Sequence, residues 1–171
     1  MALGRHLSKE ACVIALSALD RRETRGAGAR ALVELGPPVV QPLAEALERT
    51  KDHPQIASAI VWALGHIGVS GCVEPLIKAL SVAQSEVRLS ASVALGTLRR
   101  RRPEIELPID AVEQRFLPEI AYLATRVIAS ACDLPPTKPA IVLKHMLKQR
   151  RNASLETLFR LFALRYDEEA I

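Results

Sequence analysis

The chain has 171 residues and a net charge of +4, with 49% hydrophobic and only 4% aromatic residues, a balance that suits closely packed short helices rather than strands. Charges interrupt every apolar stretch before the roughly 18 to 20 residues of a membrane span, and Met1 to Ser8 holds no apolar signal core, so a cytoplasmic chain is expected. Cys12, Cys72 and Cys132 are odd in number, far apart and form no Cys-x-x-Cys pair, which speaks against a disulfide framework or a zinc site and for buried helix thiols.

The first predicted helix runs from Glu10 to Leu19, with Asp20 to Glu23 as a turn. The next, Thr24 to Leu35, stops at Gly36-Pro37-Pro38, where Gly supplies a left-handed cap and the prolines forbid continuation. Inside it, Gly26 and Gly28 each lower helix propensity by about 1 kcal/mol relative to Ala. Val39 to Leu47 follows, with Pro42 tolerable because first-turn amides have no intrahelical acceptor to lose. His53-Pro54 opens the helix of Gln55 to Ile67, Gly68 to Gly71 turns, and helices over Cys72 to Leu80 and Glu86 to Arg99 complete this half.

Beyond Pro103 the spacing changes. Ile109 to Ala131 places Val112, Phe116, Ile120, Leu123, Val127 and Ile128 on one helical face, with Pro118 expected to kink or split it. Leu134-Pro135-Pro136 ends that segment, a basic amphipathic helix runs from Lys138 to about Arg151, and a last helix spans Ala153 to Tyr166, with Phe159, Phe162 and Tyr166 expected in its core.

One pattern recurs in the first hundred residues: Ala31-Leu32 with Leu35-Gly36, Ala63-Leu64 with Ile67-Gly68, and Ala94-Leu95 with Leu98, at steps of 32 and 31 residues. A second motif, Pro42-Leu43 with Ala46-Leu47, returns as Pro75-Leu76 with Ala79-Leu80. Each unit is thus two short helices, and a period of this size means a solenoid whose units bury their apolar faces against neighbours. The reading is an all-α fold: residues 1–102 form an α-solenoid of helical hairpins, and residues 103–171 a C-terminal helical cap packed on the array, because a terminal unit must hide an open apolar face.

The units Val87-Arg88-x-x-Ala91-x-x-Ala94-Leu95-Gly96 and Ala63-Leu64-Gly65-x-x-Gly68, followed by Val73-Glu74-Pro75-Leu76-Ile77-x-Ala79-Leu80, resemble HEAT repeats of the short type first noticed in phycobilisome lyases. The resemblance covers residues 10 to 100 and implies that the small Ala and Gly positions let helices approach closely. Arg25 and Arg88 match the family's arginine after the turn, which implies a role in holding adjacent units. The usual turn Asp is absent before Arg88, and Ala57 stands in the arginine position of the middle unit, so the polar ladder is incomplete. The stretch from Leu155 to Tyr166 is similar to the end of HEAT modules attached to bacterial transporter-like membrane proteins, which implies a module or a detached relative of one.

A solenoid's product is an extended surface, so binding is the expected function. Aligning the inner helices by Ala31, Ala63 and Ala94 assigns Leu32, Leu64, Leu95, Leu35, Ile67 and Leu98 to the core. The face left over carries Arg30 with Glu34, Trp62 with His66, and Val93 with Thr97, each pair neighbours one turn apart. One turn earlier stand Gly26, Ser58 and Leu89. Arg30, Glu34, Trp62, His66, Leu89 and Val93 are therefore the candidate partner-binding residues on the concave face. Trp62, the sole Trp, is the expected anchor, because Trp and Arg are enriched where truncation weakens an interface by about 2 kcal/mol or more.

Charge is uneven: residues 1 to 102 carry +5 and residues 103 to 171 carry −1. The sharpest cluster, Arg99-Arg100-Arg101-Arg102, complements a helix C-terminus and also offers a phosphate-binding patch. Nucleic-acid backbone binding by it, with Arg21, Arg22, Arg25 and Arg30, is the alternative function. A bilin lyase or lyase-partner role is implied only by the repeat resemblance. Catalysis finds no constellation: His6, His53, His66 and His145 are scattered, none is followed by Glu, and no Gly-rich phosphate loop follows a strand. No catalytic residue, metal or cofactor is assigned, and the expected partner is a protein.

Overall fold

The computed structural model describes residues 2–50, 52–131 and 137–165. These form α1 (Ala2–Ser17), α2 (Arg22–Leu35), α3 (Val40–Arg49), α4 (Pro54–Ile67), α5 (Val73–Ala79), α6 (Ser85–Arg101), α7 (Ile109–Glu113), α8 (Phe116–Ala131) and α9 (Lys138–Arg165), with no strand among the described residues. The chain divides into two compact units, Met1–Leu107 and Pro108–Ile171.

In the first unit the turns follow from glycine and proline chemistry. Gly36 and Gly68 both take positive φ, +70° and +67°, a region that costs other residues dearly. Gly68 is left-handed, as expected of an αL cap, and its N–H returns to the carbonyl of Leu64. Gly36 pairs its φ with a ψ of −148° and donates to Val33. It departs from the left-handed cap because Pro37 follows, and proline pushes the residue before it out of helical ψ. Short 3-10 turns, Pro37–Val39 and Ser70–Cys72, then feed α3 and α5. Pro42 and Pro75 consequently fall in first turns, where no intrahelical hydrogen bond is lost.

α2, α4 and α6 pack side by side, α4 most extensively against α6, while α1, α3 and α5 lie against α2, α4 and α6 in turn. The repeated leucines Leu32, Leu64 and Leu95 are fully buried, with Leu19, Leu43, Leu76 and Leu98 between the layers. Leu35 and Ile67 are half-buried, one step nearer the surface than the alignment expects.

Two glycines set how closely the helices approach. A Cβ on Gly65 would stand 2.6 Å from the Cβ and 2.9 Å from the Cα of Ala94, and one on Gly28 would stand 2.7 Å from the carbonyl oxygen of Ala15. Both distances are below anything real side chains tolerate, so α4 meets α6 and α1 meets α2 only because these residues lack a side chain. Gly26 differs: the nearest atom to its Cβ position is Nη2 of Arg30, at 4.0 Å.

The arginines after the turns pin them. Arg25 donates from Nε to the carbonyl of Leu19 at 2.8 Å and from an Nη to Oε1 of Gln55, on the next inner helix, at 3.2 Å. Arg88 is almost wholly buried and donates to the carbonyls of Val82 and Ala83 at 3.0 and 2.7 Å. Backbone oxygens of the preceding turn are thus among the acceptors that this buried cation requires. Ala57, in the equivalent position of the middle unit, is buried instead.

The second unit packs α7 and α8 against α9. The segment Ile109 to Ala131 is split as Pro118 leads one to expect: α7 and α8 separate at Gln114-Arg115, because the proline ring excludes a helical carbonyl four residues back and is acceptable in a first turn. Two other expectations need correction there. No break occurs near Asn152, and α9 is one helix of 28 residues, since no Gly or Pro interrupts it after Pro139. That continuity fixes its phase: Ser154, Thr157, Leu158, Leu161 and Leu164 share the buried face, leaving Phe159 68% and Phe162 41% exposed rather than in the core. Ile120 and Val127 of α8 are likewise exposed, while Val112 is buried. Tyr166, Cys132 and Leu134-Pro135-Pro136 lie outside the described residues.

The glycines and Arg88 give opposing tests, read by urea unfolding followed through emission of the sole Trp62, which reports on the first unit. Gly26→Ala should stabilise by up to about 1 kcal/mol, whereas Gly65→Ala should destabilise by about 1–3 kcal/mol through overpacking. Arg88→Met should cost about 2 kcal/mol by stranding turn carbonyls, and a midpoint unchanged within error would contradict the pin.

Candidate functional site

The outward row of α2, α4 and α6 carries the side chains of interest. Arg30 and Glu34 are exposed on α2, Trp62 is 39% exposed on α4 with His66 half-buried, and Leu89 and Val93 of α6 are half-buried. Ser58 and Thr97 are half-buried, and the Thr97 hydroxyl donates to the carbonyl of Val93. The row is thus charged on α2, aromatic on α4 and neutral on α6.

His66 stacks on Trp62, with ring centroids 4.0 Å apart and 29° between planes. Its Nδ1 lies 2.9 Å from the carbonyl oxygen of Trp62, which fixes the imidazole along the indole face. The stack restrains the Trp62 ring by side-chain packing within one helix.

Trp62 also borders a depression of about 410 Å³ between α2 and α4, lined by Arg22, Arg25, Gly26, Ala29, Arg30, Ala59 and Trp62. Its floor is made of small apolar residues and its rim of three cations. Arg30 and Trp62 from the candidate row meet here; Glu34, His66, Leu89 and Val93 do not line it. Arg22 and Arg25 complete it, residues that the sequence grouped with a nucleic-acid patch. Their signal was the i, i+3, i+4, i+8 spacing of Arg22, Arg25, Gly26 and Arg30, which keeps them on one side of α2.

The outer layer is different in sign. A smaller hollow of about 310 Å³ between α3 and α5 is bordered by Glu45, Glu48, Glu74 and Lys78 among others. Glu74 and Lys78 pair there at 2.8 Å, and the Lys78 ammonium holds the Glu74 carboxyl below its usual range.

The four consecutive arginines stand at the end of α6. Arg99 is half-buried, Arg100 and Arg101 are exposed, and Arg102 lies 3.6 Å from Glu104. Arg102 also lends its stem to the Gly68 turn, so part of the run serves the helix end. The described histidines do not converge: His53 is exposed ahead of α4, His66 is on α4, and His145 of α9 meets Gln149. Among the described residues no three His, Cys, Asp or Glu come together as a metal site, and no helix is long and apolar enough to cross a membrane. Burial raises the thiol pKa of both Cys12 and Cys72, and backbone hydrogen bonds from Val69 and Gly68 oppose this at Cys72.

An inner row of helices pinned by turn arginines, with outer helices behind it, defines a helical repeat array. Residues 56–81, most of α4 with all of α5, match the family model described as PBS lyase HEAT-like repeat, so the chain carries a HEAT repeat of this short type. No curated protein and no solved structure matches it.

The electrostatics of the depression can be read at Trp62 directly. Relative to a free tryptophan amide, iodide should quench its emission more than caesium does, by about twofold at low ionic strength, because the rim concentrates anions. Neutralising Arg22 and Arg30 together should erase the difference; equal quenching by both ions in the unaltered chain would show that the rim exerts no net field.

Proposed function

We propose that the chain is a non-enzymatic interaction module that binds a protein partner through the outward row of α2, α4 and α6, with Trp62 as anchor. One observation carries this reading. The single Trp of an aromatic-poor chain is 39% exposed and stacked against His66 beside a depression, where a core-forming residue would be buried. Large rigid side chains held in this way give contact area at little entropic cost. Arg30, Glu34, His66, Leu89 and Val93 extend the surface on either side. In this reading the chain works in the cytoplasm.

Nucleic-acid binding is the second reading, favoured by the exposed Arg100 and Arg101 and by the cationic rim on α2. A lyase or lyase-partner role has for support only the description attached to the matched repeat. Neither has a feature as specific as the exposed, oriented Trp62.

The test places a photo-crosslinking residue at position 62 and, as control, at Gln41 on the outer face, in the full chain within its native lysate. Protein adducts at 62 that survive nuclease and are absent at 41 are expected, and a captured partner should bind Trp62→Ala at least about tenfold more weakly. Unchanged affinity in that variant would remove Trp62 as anchor. Adducts lost on nuclease treatment would promote the nucleic-acid reading.

A further inference from the structure

Gly26 is a helix residue that the fold does not require. It sits in the interior of α2, where Gly costs about 1 kcal/mol against Ala, yet nothing but the end of the Arg30 side chain comes within 4.0 Å of its Cβ position. Gly28 and Gly65 owe their identity to a packed neighbour; Gly26 has none. What a side chain there would fill is the depression between α2 and α4, to whose lining Gly26 belongs. The missing side chain therefore serves the surface, by letting a bound group reach the α2 backbone.

The charges above that floor are available. Arg22 and Arg30 have no carboxylate within ion-pair distance among the described residues, and Arg25 spends its hydrogen bonds on neutral acceptors, the Leu19 carbonyl and the Gln55 amide. No acidic residue lines the depression. Three cations thus border a floor of Gly26, Ala29 and Ala59 walled by the Trp62 indole, a combination that suits a group with an apolar centre and anionic flanks.

The positive character stops at α2. The positions equivalent to Arg22, Arg25 and Arg30 are Pro54, Ala57 and Trp62 on α4 and Ser85, Arg88 and Val93 on α6; of these Arg88 alone is cationic and it is buried, so no cationic track continues along these positions as a nucleic-acid backbone would need. Arg22 and Arg30 are eight positions apart, about 12 Å along the helix at 1.5 Å per residue. An extended peptide covers that distance in about three to four residues.

We infer that the depression between α2 and α4 receives an acidic protein segment. An aromatic or branched aliphatic side chain lies over Gly26 and Ala59 against Trp62, and Asp or Glu residues about three to four positions apart pair with Arg22 and Arg30. This rests on the proposed interaction surface and specifies the chemistry of its partner.

The experiment selects peptides from a random display library on the full chain and counter-selects on Trp62→Ala, then measures the survivors as synthetic peptides. The expected survivors are acidic, with an apolar residue between carboxylates, and bind more weakly as salt rises. Their affinity falls at least about tenfold both in Gly26→Leu and in the Arg22→Gln, Arg30→Gln double variant. Gly26→Leu is the discriminating change: it enters open space and improves helix propensity, so unfolding shows equal or greater stability while binding is lost. Neutral or basic survivors that still need Trp62 would overturn the acidic partner and leave the proposed surface standing. If no survivor depends on Trp62, both fall. A single-stranded oligonucleotide that binds more tightly than any peptide, with the same dependence on Arg22 and Arg30, would overturn the inference in favour of nucleic acid.

Discussion

The backbone-to-backbone approach of α4 and α6 at Gly65 and Ala94 is the constraint on which the repeat unit depends. With a Cβ position only 2.6 Å from that of Ala94, the two helices touch at a point no larger side chain could occupy. The fully buried Leu64, Leu95 and Leu98 then close around it. Such packing gains dispersion contacts in proportion to its closeness. Gly28 against the Ala15 carbonyl repeats the device between α1 and α2. Small residues at the crossings and leucines around them give a row of inner helices whose outward side chains are left free of packing duties.

That division of labour decides what the surface is made of. On α2, the face opposite Leu32 carries Arg30; on α4, the face opposite Leu64 carries Trp62. Arg25 belongs to both worlds, since it ties the Leu19 turn to Gln55 of the next inner helix while its charge borders the depression. A residue in the structural ladder of the repeat thereby contributes to the field of the surface. Arg88 contributes nothing comparable, because its burial turns the same residue type entirely inward. The turns differ too: Arg25 donates to one carbonyl and a side-chain amide, whereas the partners of Arg88 include two carbonyls of the turn before it.

How far the sequence reached varied along the chain for physical reasons. In residues 10 to 100 the helices, their order and their inner or outer membership were legible, because Gly and Pro punctuate each turn and the repeated Ala-Leu pairs mark one face three times. Boundaries shifted where short 3-10 turns, Pro37–Val39 and Ser70–Cys72, took the first residues assigned to α3 and α5. After Pro103 no repeat averages out local ambiguity. Asn152 looked like a boundary beside two patterns of different polarity, yet a continuous α9 costs little when neither Gly nor Pro opposes it. Its phase then turned Phe159 and Phe162 outward, against the expectation that large aromatics mark a core. At the candidate surface, Arg30 and Trp62 were legible as outward positions of aligned repeats, whereas the company of Arg22 and Arg25 was not, since alignment by repeat compares equivalent residues and misses neighbours from different positions.

The sequence by itself determined the all-α class, the two-helix repeat and the burial of Leu32, Leu64, Leu95 and Leu98, because periodicity and turn chemistry act over a few residues and need no knowledge of distant ones. Only the tertiary structure decided which glycines are forced by packing and which stand open, as Gly26 and Gly96 do, and that Arg22, Arg25 and Arg30 share one depression with Trp62. Those are distances across helices some thirty residues apart in the chain, set by how closely Gly28 and Gly65 let the backbones come, and a linear spacing does not contain them.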